Sequence, residues 1–423
     1  MTRRELLLLA PLLAMYLAAW AFFPERPDDE ASYVVLAERL TQGFYVTGDD
    51  RAILDEDPAS PDLWFGPGLP AALAPLVAVE APLWLLRLTS PLLLFGAVLV
   101  FYVLSRRRFG PRVGVVAAYA LGLYLPFLGL LSNLHSEVLA VLLVAVGMLG
   151  LARFLERGGP AWLVLGAVGL GGLALTRVAY GWVLTVALLL LLAWWVARRS
   201  RSSGRAAVVL VLALALCLPW LAYTYAKTDR LLVWGNSGSL SLYWVASPYD
   251  GDLGDWHQAH LVFTDPDLRP HRDFFEGLRG LELAEQNAEI EREALRNIVE
   301  HPGKYAGNIL ANVSRMLFNS PYSRTFQQTN DIFYALPNAI LLGALALCLL
   351  VLLPRRRTLP PETGVFVLLG SVAFILHALV AAYPRMLAPI VPLLVWVTVL
   401  ALVEAGLLTP HARRGTPARI RSS

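Results

Sequence analysis

The sequence predicts an all-α, polytopic membrane protein, with about ten transmembrane helices and two large outer loops carrying amphipathic surface helices. Three observations predict it. Hydrophobic residues make up 57% of the 423 residues and charged residues only 16%, where a soluble domain carries roughly a quarter charged. The mean hydropathy is +0.57. The apolar residues gather in runs close to the roughly 20 helical residues that cross a bilayer.

Ten such runs are read, at about 5–23, 84–104, 113–131, 138–153, 161–176, 181–197, 206–225, 335–353, 364–382 and 386–404. Backbone groups in hydrocarbon must be satisfied within their own segment, so each run is expected to be a helix. The first reads as a retained span, because the run is long and no small-x-small cleavage site precedes Phe22.

Basic residues set the orientation. Arg3 and Arg4 precede the first run; Arg106 to Arg108 and Arg112 follow the second; Arg153 and Arg157 follow the fourth. Arg198, Arg199, Arg201 and Arg205 follow the sixth, Arg355 to Arg357 the eighth, and Arg413, Arg414, Arg419 and Arg421 close the chain. Alternation puts all of them on one face, which the positive-inside rule assigns to the cytoplasm. Only Glu5, Glu156, Glu362 and Glu404 share that face, so 28 of the 32 acids lie on the other. Both termini are therefore expected in the cytoplasm. The localisation expected is a bacterial inner membrane, with any active site on the periplasmic side. The net charge of +3 hides this asymmetry, and no nucleic-acid partner is expected.

The organisation expected is an N-terminal membrane module over 1–225, with a first outer loop at 24–83. A long outer loop follows at 226–334, then C-terminal spans at 335–405 and a basic tail at 406–423. In the first loop, Tyr33, Val34, Leu36, Ala37 and Leu40 recur at helical spacing, and Gly43 ends the segment. Six acids fill Thr47 to Asp62, and Trp64 to Pro70 forms a stiff aromatic turn that re-enters the membrane. The long loop starts with a Gly- and Ser-rich stretch from Asn236. It then predicts a charged helix over about 282–299, a break at His301-Pro302-Gly303 and an amphipathic helix over about 304–318. A connector of this length is a functional candidate. Cys217 and Cys348 fall in predicted spans, read as small apolar residues, and predict no disulfide.

The most informative group is Asp28-Asp29-Glu30, just past the first span. Carboxylates at a membrane boundary are costly to desolvate. They suit a general base or a group that orients an acceptor hydroxyl; acids at a helix start also offset the dipole without any chemistry. Tyr33 lies one turn from Asp29. Glu137, in Ser132-Asn133-Leu134-His135-Ser136-Glu137 at the outer mouth of the fourth span, is the second acid of interest.

Arg177 and Arg385 sit on the face where arginines are disfavoured. They either snorkel or clamp an anion through paired hydrogen bonds. Lys227 and Arg230 follow the seventh span at similar depth, and Arg87 near the outer end of the second pairs most simply with a loop acid. Asp252, Asp255, His257 and His260 match no strong metal signature, and no metal ligands are assigned. The chain contains no phosphate-binding glycine loop, dinucleotide motif, Gly-x-Ser-x-Gly elbow or CxxC, which argues against a nucleotide-driven pump.

The pattern resembles the glycosyltransferase C superfamily, particularly bacterial proteins similar to protein O-mannosyltransferases and lipid A aminoarabinose transferases. Asp29-Glu30-x-x-Tyr33, with Ala37 and Gly43, looks like its first-loop motif, and Ser136-Glu137 resembles its second-loop acid. Gly172 to Arg177 looks like its Gly-Leu-Ala-x-Leu-Thr-Arg segment. Lys227-Thr228-Asp229-Arg230 through Asn236, with Leu242-Tyr243, resembles the start of its central loop, and Arg385-x-x-x-Pro389-x-x-Pro392 its final-helix motif. Family members often carry more spans and a C-terminal outer domain, and the usual aromatic after the final arginine is Met386 here.

The resemblance implies an inverting transferase that moves a monosaccharide from a polyprenyl-phosphate donor to a hydroxyl of an envelope lipid, glycan or protein. It implies Asp29 or its neighbour Asp28 as catalytic base, assisted by Glu137. Glu30, Tyr33, Arg177, Lys227, Arg230, Tyr243 and Arg385 are the substrate-binding residues it implies. It fixes no cofactor, and a divalent metal is compatible with it. Membrane lipid is the remaining expected partner. The rival class is a lipid-linked sugar flippase or transporter, which needs charges buried mid-span, whereas these charges lie at the rim.

Overall fold

The computed structural model describes residues 1–25, 29–46, 63–324, 331–355, 359–380 and 382–409. All regular structure among them is helical. The first capped helix is α1 (Arg3–Phe22), whose cap is Thr2 paired reciprocally with Glu5. There follow α2 (Glu30–Thr41), α3 (Gly68–Val77), α4 (Leu83–Phe109), α5 (Pro111–Gly122) and α6 (Ser136–Arg157). Next come α7 (Pro160–Thr176), α8 (Ala179–Arg198), α9 (Arg201–Leu216) and α10 (Leu218–Thr228). The long outer loop holds α11 (Ser237–Val245), α12 (Arg272–Glu276), α13 (Leu283–Glu300) and α14 (Pro302–Phe318). The chain then returns through α15 (Asp331–Leu352), α16 (Pro361–Ala378) and α17 (Val391–Glu404).

Not every one of the ten apolar runs forms a single helix of full span length. Seven helices among the described residues are long and apolar enough to cross a bilayer, or eight if α9 and α10 form one span bent by 45°. The bend has a local cause: Pro219, two residues after Cys217, lies in the first turn of α10 without an N–H to donate. The run at 113–131 divides into α5 and a 3-10 helix, Leu125–Leu130, opened by Pro126. The run at 161–176 becomes α7, whose 17 residues reach only about 26 Å. The protein is nonetheless a multi-pass membrane protein.

α6 is the axis of the bundle. It packs against α4, α7 and the 3-10 helix Pro384–Ile390 that leads into α17. α6 and α7 approach through small residues: a Cβ on Gly150 would lie 2.2 Å from Gly166 N, and one on Gly169 2.4 Å from Gly147 N. This small-on-small contact lets the two backbones touch where apolar side chains would hold them apart. It brings the outer end of α7 beside the start of α6.

The outer loop has its own core, in which Trp244, Tyr243, Phe275, Leu268 and Ile290 are buried together. The Gly- and Ser-rich stretch predicted at its start is helical as α11. α13 and α14 meet at His301, which ends one helix and begins the next, as the His-Pro-Gly break predicts. The aromatic turn from Trp64 packs on the end of α7. Gly68 is required there, since a Cβ would lie 2.2 Å from Thr176 Oγ1. Cys217 and Cys348 are buried free thiols.

Candidate active site

The site assembles at the N-terminal end of α6 from four separate stretches of chain. Asp29 precedes α2 as its N-terminal flanking residue, without capping it through its side chain. Its carboxylate is therefore turned elsewhere: Arg385 Nη1 donates to Asp29 Oδ2 at 2.8 Å. Arg385 also lies with Nε 3.6 Å from Glu137 Oε1. Arg177, the residue that ends α7, donates from Nη1 to the same Glu137 oxygen at 2.6 Å and to Ser136 Oγ at 3.3 Å. The result is an alternating row, Asp29, Arg385, Glu137, Arg177. Glu137 at its centre is 0% exposed, so two guanidiniums compensate a carboxylate that would otherwise be buried unpaired. Asp29 and Arg385 remain partly open to solvent, at 22% and 29% of their side-chain surface.

Tyr33 joins this row from α2. Its hydroxyl donates to Ser136 Oγ at 2.9 Å, and its ring lies edge-on to Phe65 at 4.9 Å. Burial, with Asp29 and Glu137 as neighbouring negative charges, pushes the Tyr33 hydroxyl well above the usual tyrosine value. It therefore acts as a neutral donor.

Glu30, also expected to bind substrate, is engaged within the protein. It accepts from Arg87 Nη2 at 2.7 Å and from Arg87 Nε at 3.0 and 3.2 Å, and Leu134 N donates to it at 2.9 Å. Arg87 Nη1 also meets Glu25 at 2.5 Å. This clasp ties the α2 start, which carries Asp29, to the turn before α6, which carries Glu137. It is the loop-acid pairing expected of Arg87.

Three predicted binding residues make their contacts elsewhere. Lys227 lies 6.0 Å from the Tyr223 ring centre, and Arg230 Nη2 donates to Ala284 O at 3.5 Å. Tyr243 is buried in the outer-loop core, its hydroxyl 2.8 Å from His271 Nδ1. None of these contacts reaches the Asp29–Arg385 row. Asp28 lies outside the described residues.

The acid and histidine group in the long loop divides into two networks. Asp252 accepts from Ser247 and lies 2.9 Å from His271 Nε2. Burial alone would raise its pKa, but the His271 hydrogen bond and charge and the Ser247 hydroxyl hold Asp252 below the usual carboxylate value. Asp255 accepts from Ser323 N at 3.1 Å and from the Ser323 hydroxyl, with the fully buried Arg315 3.7 Å away. Among the described residues, no three His, Cys, Asp or Glu side chains converge on a metal position.

Two links went unpredicted. Tyr383, two residues before Arg385, clasps Trp256 through its hydroxyl, which accepts from Trp256 N at 2.9 Å and donates to Trp256 O at 3.1 Å. Burial, then the Asp255 charge, pushes the Tyr383 pKa up to about 12, so the clasp persists across ordinary pH. Trp256 in turn packs edge-on to Trp64 at 5.7 Å. The long loop is thus fastened both to the arginine segment and to the first loop. The aromatic run beginning at Trp64 was the only signal in the sequence for either link.

The helical membrane fold is shared with a solved archaeal oligosaccharyltransferase, and the resemblance drawn from the sequence holds at the level of fold. Residues 67–223 match the family model described as dolichyl-phosphate-mannose-protein mannosyltransferase. Among solved structures, the chain is similar to the archaeal oligosaccharyltransferase AglB from Archaeoglobus fulgidus in complex with an inhibitory peptide and a dolichol-phosphate. The TM-score is 0.52 at 14% identity, over 96% of this chain and 51% of that one. The apo form of the Archaeoglobus fulgidus oligosaccharyltransferase gives a TM-score of 0.54 at 14% identity, over 95% and 51%. This chain thus spans about half the length of the oligosaccharyltransferase it matches. ArnT from Cupriavidus metallidurans bound to undecaprenyl phosphate aligns at a TM-score of 0.40 and 16% identity, over 93% and 77%, too low to carry an argument. No curated protein matches the sequence.

Proposed function

We propose that the chain is an inverting glycosyltransferase of a bacterial inner membrane, acting at its periplasmic face with both termini in the cytoplasm. It moves a monosaccharide from a polyprenyl-phosphate donor to an acceptor hydroxyl. One observation carries the reading: Asp29 and Arg385 meet at 2.8 Å beside a second acid and a second arginine. A base for the hydroxyl and a clamp for the phosphate thus share one outer-face site.

The chemistry follows from that pairing. The donor phosphate takes the Arg385 guanidinium in two parallel hydrogen bonds, which arginine geometry favours. Asp29, released from its partner, accepts the acceptor proton. The acceptor oxygen attacks the anomeric carbon as the carbon–oxygen bond to phosphate breaks, and the lipid phosphate leaves with the electron pair. Negative charge grows on the leaving oxygen, and Arg385 and Arg177 stabilise it. Glu137, held between the two arginines, sets their separation. The family match over 67–223 and the dolichol-phosphate present with the archaeal oligosaccharyltransferase support a lipid-phosphate donor.

Purified protein supplied with a polyprenyl-phosphate monosaccharide and an envelope extract should release free polyprenyl phosphate and glycosylate the extract. Release should stop in Asp29→Asn. Sustained release by Asp29→Asn, or none by the wild type with any donor sugar, would overturn the reading. Movement of intact donor across a vesicle membrane without release would favour a flippase instead.

A further inference from the structure

Four arginines surround one helix start at the end of α6 remote from the candidate site. α6 has 22 residues, so its ends lie about 33 Å apart. Gly158 and Gly159 take positive φ of 72° and 96° and turn the chain directly from α6 into α7. The first N–H groups of α7, on Ala161 and Trp162, have no acceptor within their own helix and carry the positive end of its dipole.

Arg153 is the decisive residue. It is only 4% exposed, and Nη1 pairs with Glu156. Among the described residues, however, its Nε and Nη2 are buried without a hydrogen-bond partner. A buried charged donor left unpaired costs free energy, so native chains supply it with an acceptor. The guanidinium carbon of Arg153 lies 5.2 Å from the Trp162 ring centre, and that of Arg107, from α4, lies 5.7 Å from it. Arg205, from α9, donates to Leu155 O at 3.1 Å, and its Nη2 occupies the space a side chain on Gly158 would need. Arg157 is exposed, 3.9 Å from Glu156. One carboxylate, Glu156, is thus paired with this group among the described residues. The adjacent Arg106 and Arg108 already face Glu5 and Glu362.

We propose that Arg107, Arg153, Arg157 and Arg205, with the first amides of α7, bind the phosphate headgroup of an anionic phospholipid. Guanidinium forks match phosphate oxygens, and basic pockets between spans at one membrane face hold anionic headgroups. A lipid fits better than free phosphate because Val164 and Val168 continue outward from the site along α7, 50% and 47% exposed, as a face for acyl chains. Trp162 marks the polar boundary, where tryptophan is enriched. The site lies apart from the Asp29–Arg385 row and does not rest on the proposed transfer.

The test is thermal unfolding of the full chain in detergent, titrated with short-chain phosphatidylglycerol, short-chain phosphatidylcholine or inorganic phosphate. A ligand of the folded state raises the Tm with its concentration. Phosphatidylglycerol should raise it more than phosphatidylcholine, and added salt should shrink the difference. Arg107→Gln, an exposed substitution that spares the fold, should reduce the difference, and Arg107→Gln with Arg153→Gln should abolish it. Arg198→Gln with Arg199→Gln, at other exposed arginines, should leave it intact. Equal shifts from the two lipids in wild type, or an unchanged difference in Arg107→Gln, would overturn the proposal. An equal effect of inorganic phosphate at the same concentration would overturn the lipid assignment and indicate a plain anion site.

Discussion

Asp29 and Arg385 stand 356 positions apart in the chain, and their side chains meet at 2.8 Å. The contact joins the first outer loop to the last membrane segment. On the proposed mechanism it also puts a carboxylate and a guanidinium with opposite tasks in competition: phosphate bound by Arg385 takes the place of Asp29, and donor binding prepares the base.

Asp29→Asn should lower transfer at least about 100-fold, the range lost with a general base. The amide keeps the size of the side chain, so the Tm should move little. Turnover and unfolding measured on one preparation separate the two effects.

Arg385→Gln should weaken donor binding by about 1.5–3 kcal/mol, the worth of a charge-assisted hydrogen bond. Arg385→Lys should recover part of it, because lysine keeps the charge and loses the fork. Titration with bare polyprenyl phosphate reads this directly; a change confined to acceptor affinity would remove Arg385 from the phosphate site.

The Glu30–Arg87 clasp should behave as structure. Its side chains are 10% and 15% exposed, so Glu30→Gln alone leaves Arg87 with an incomplete partner and should cost about 2–4 kcal/mol, near the range for broken buried pairs. Glu30→Gln combined with Arg87→Met should cost less than the two single losses added together. Transfer should fall with the single change because Asp29 and Glu137 lose their common tie.

Stability of the outer loop should fall in mild acid. Burial depresses the His257 pKa, with the Asp255 charge opposing it. The unfolded chain therefore binds more protons than the folded one below about pH 6.5. The contribution is present above that value and lost progressively as pH falls towards the lower folded pKa. Asp252, also held low, contributes above the unfolded carboxylate value and loses it as pH falls further. His257→Gln should flatten the loss of Tm between pH 7.5 and 5.5 and leave the carboxylate step in place.

Much of this structure is legible in the sequence, for local reasons. The apolar spacing of Tyr33, Leu36 and Ala37 predicts α2, and the three buried side chains make its inward face. His301-Pro302-Gly303 predicts the break between α13 and α14 because proline acts on its own neighbourhood. The bend at Cys217 escapes a hydropathy reading, which averages over a lost N–H at Pro219. The Trp256–Tyr383 clasp and the Asp255–Ser323 contact join residues 127 and 68 positions apart, and no periodicity encodes such pairings. Lys227, Arg230 and Tyr243 lie in the same long loop, where charge and order along the chain do not specify which side chains face the row.

The competition between Asp29 and phosphate for Arg385 has one direct measurement: the affinity of wild type and Asp29→Asn for bare polyprenyl phosphate. Removing the internal anion should make the lipid bind more tightly to Asp29→Asn than to wild type, even as transfer by that variant falls. Equal or weaker binding by the variant would contradict a shared site.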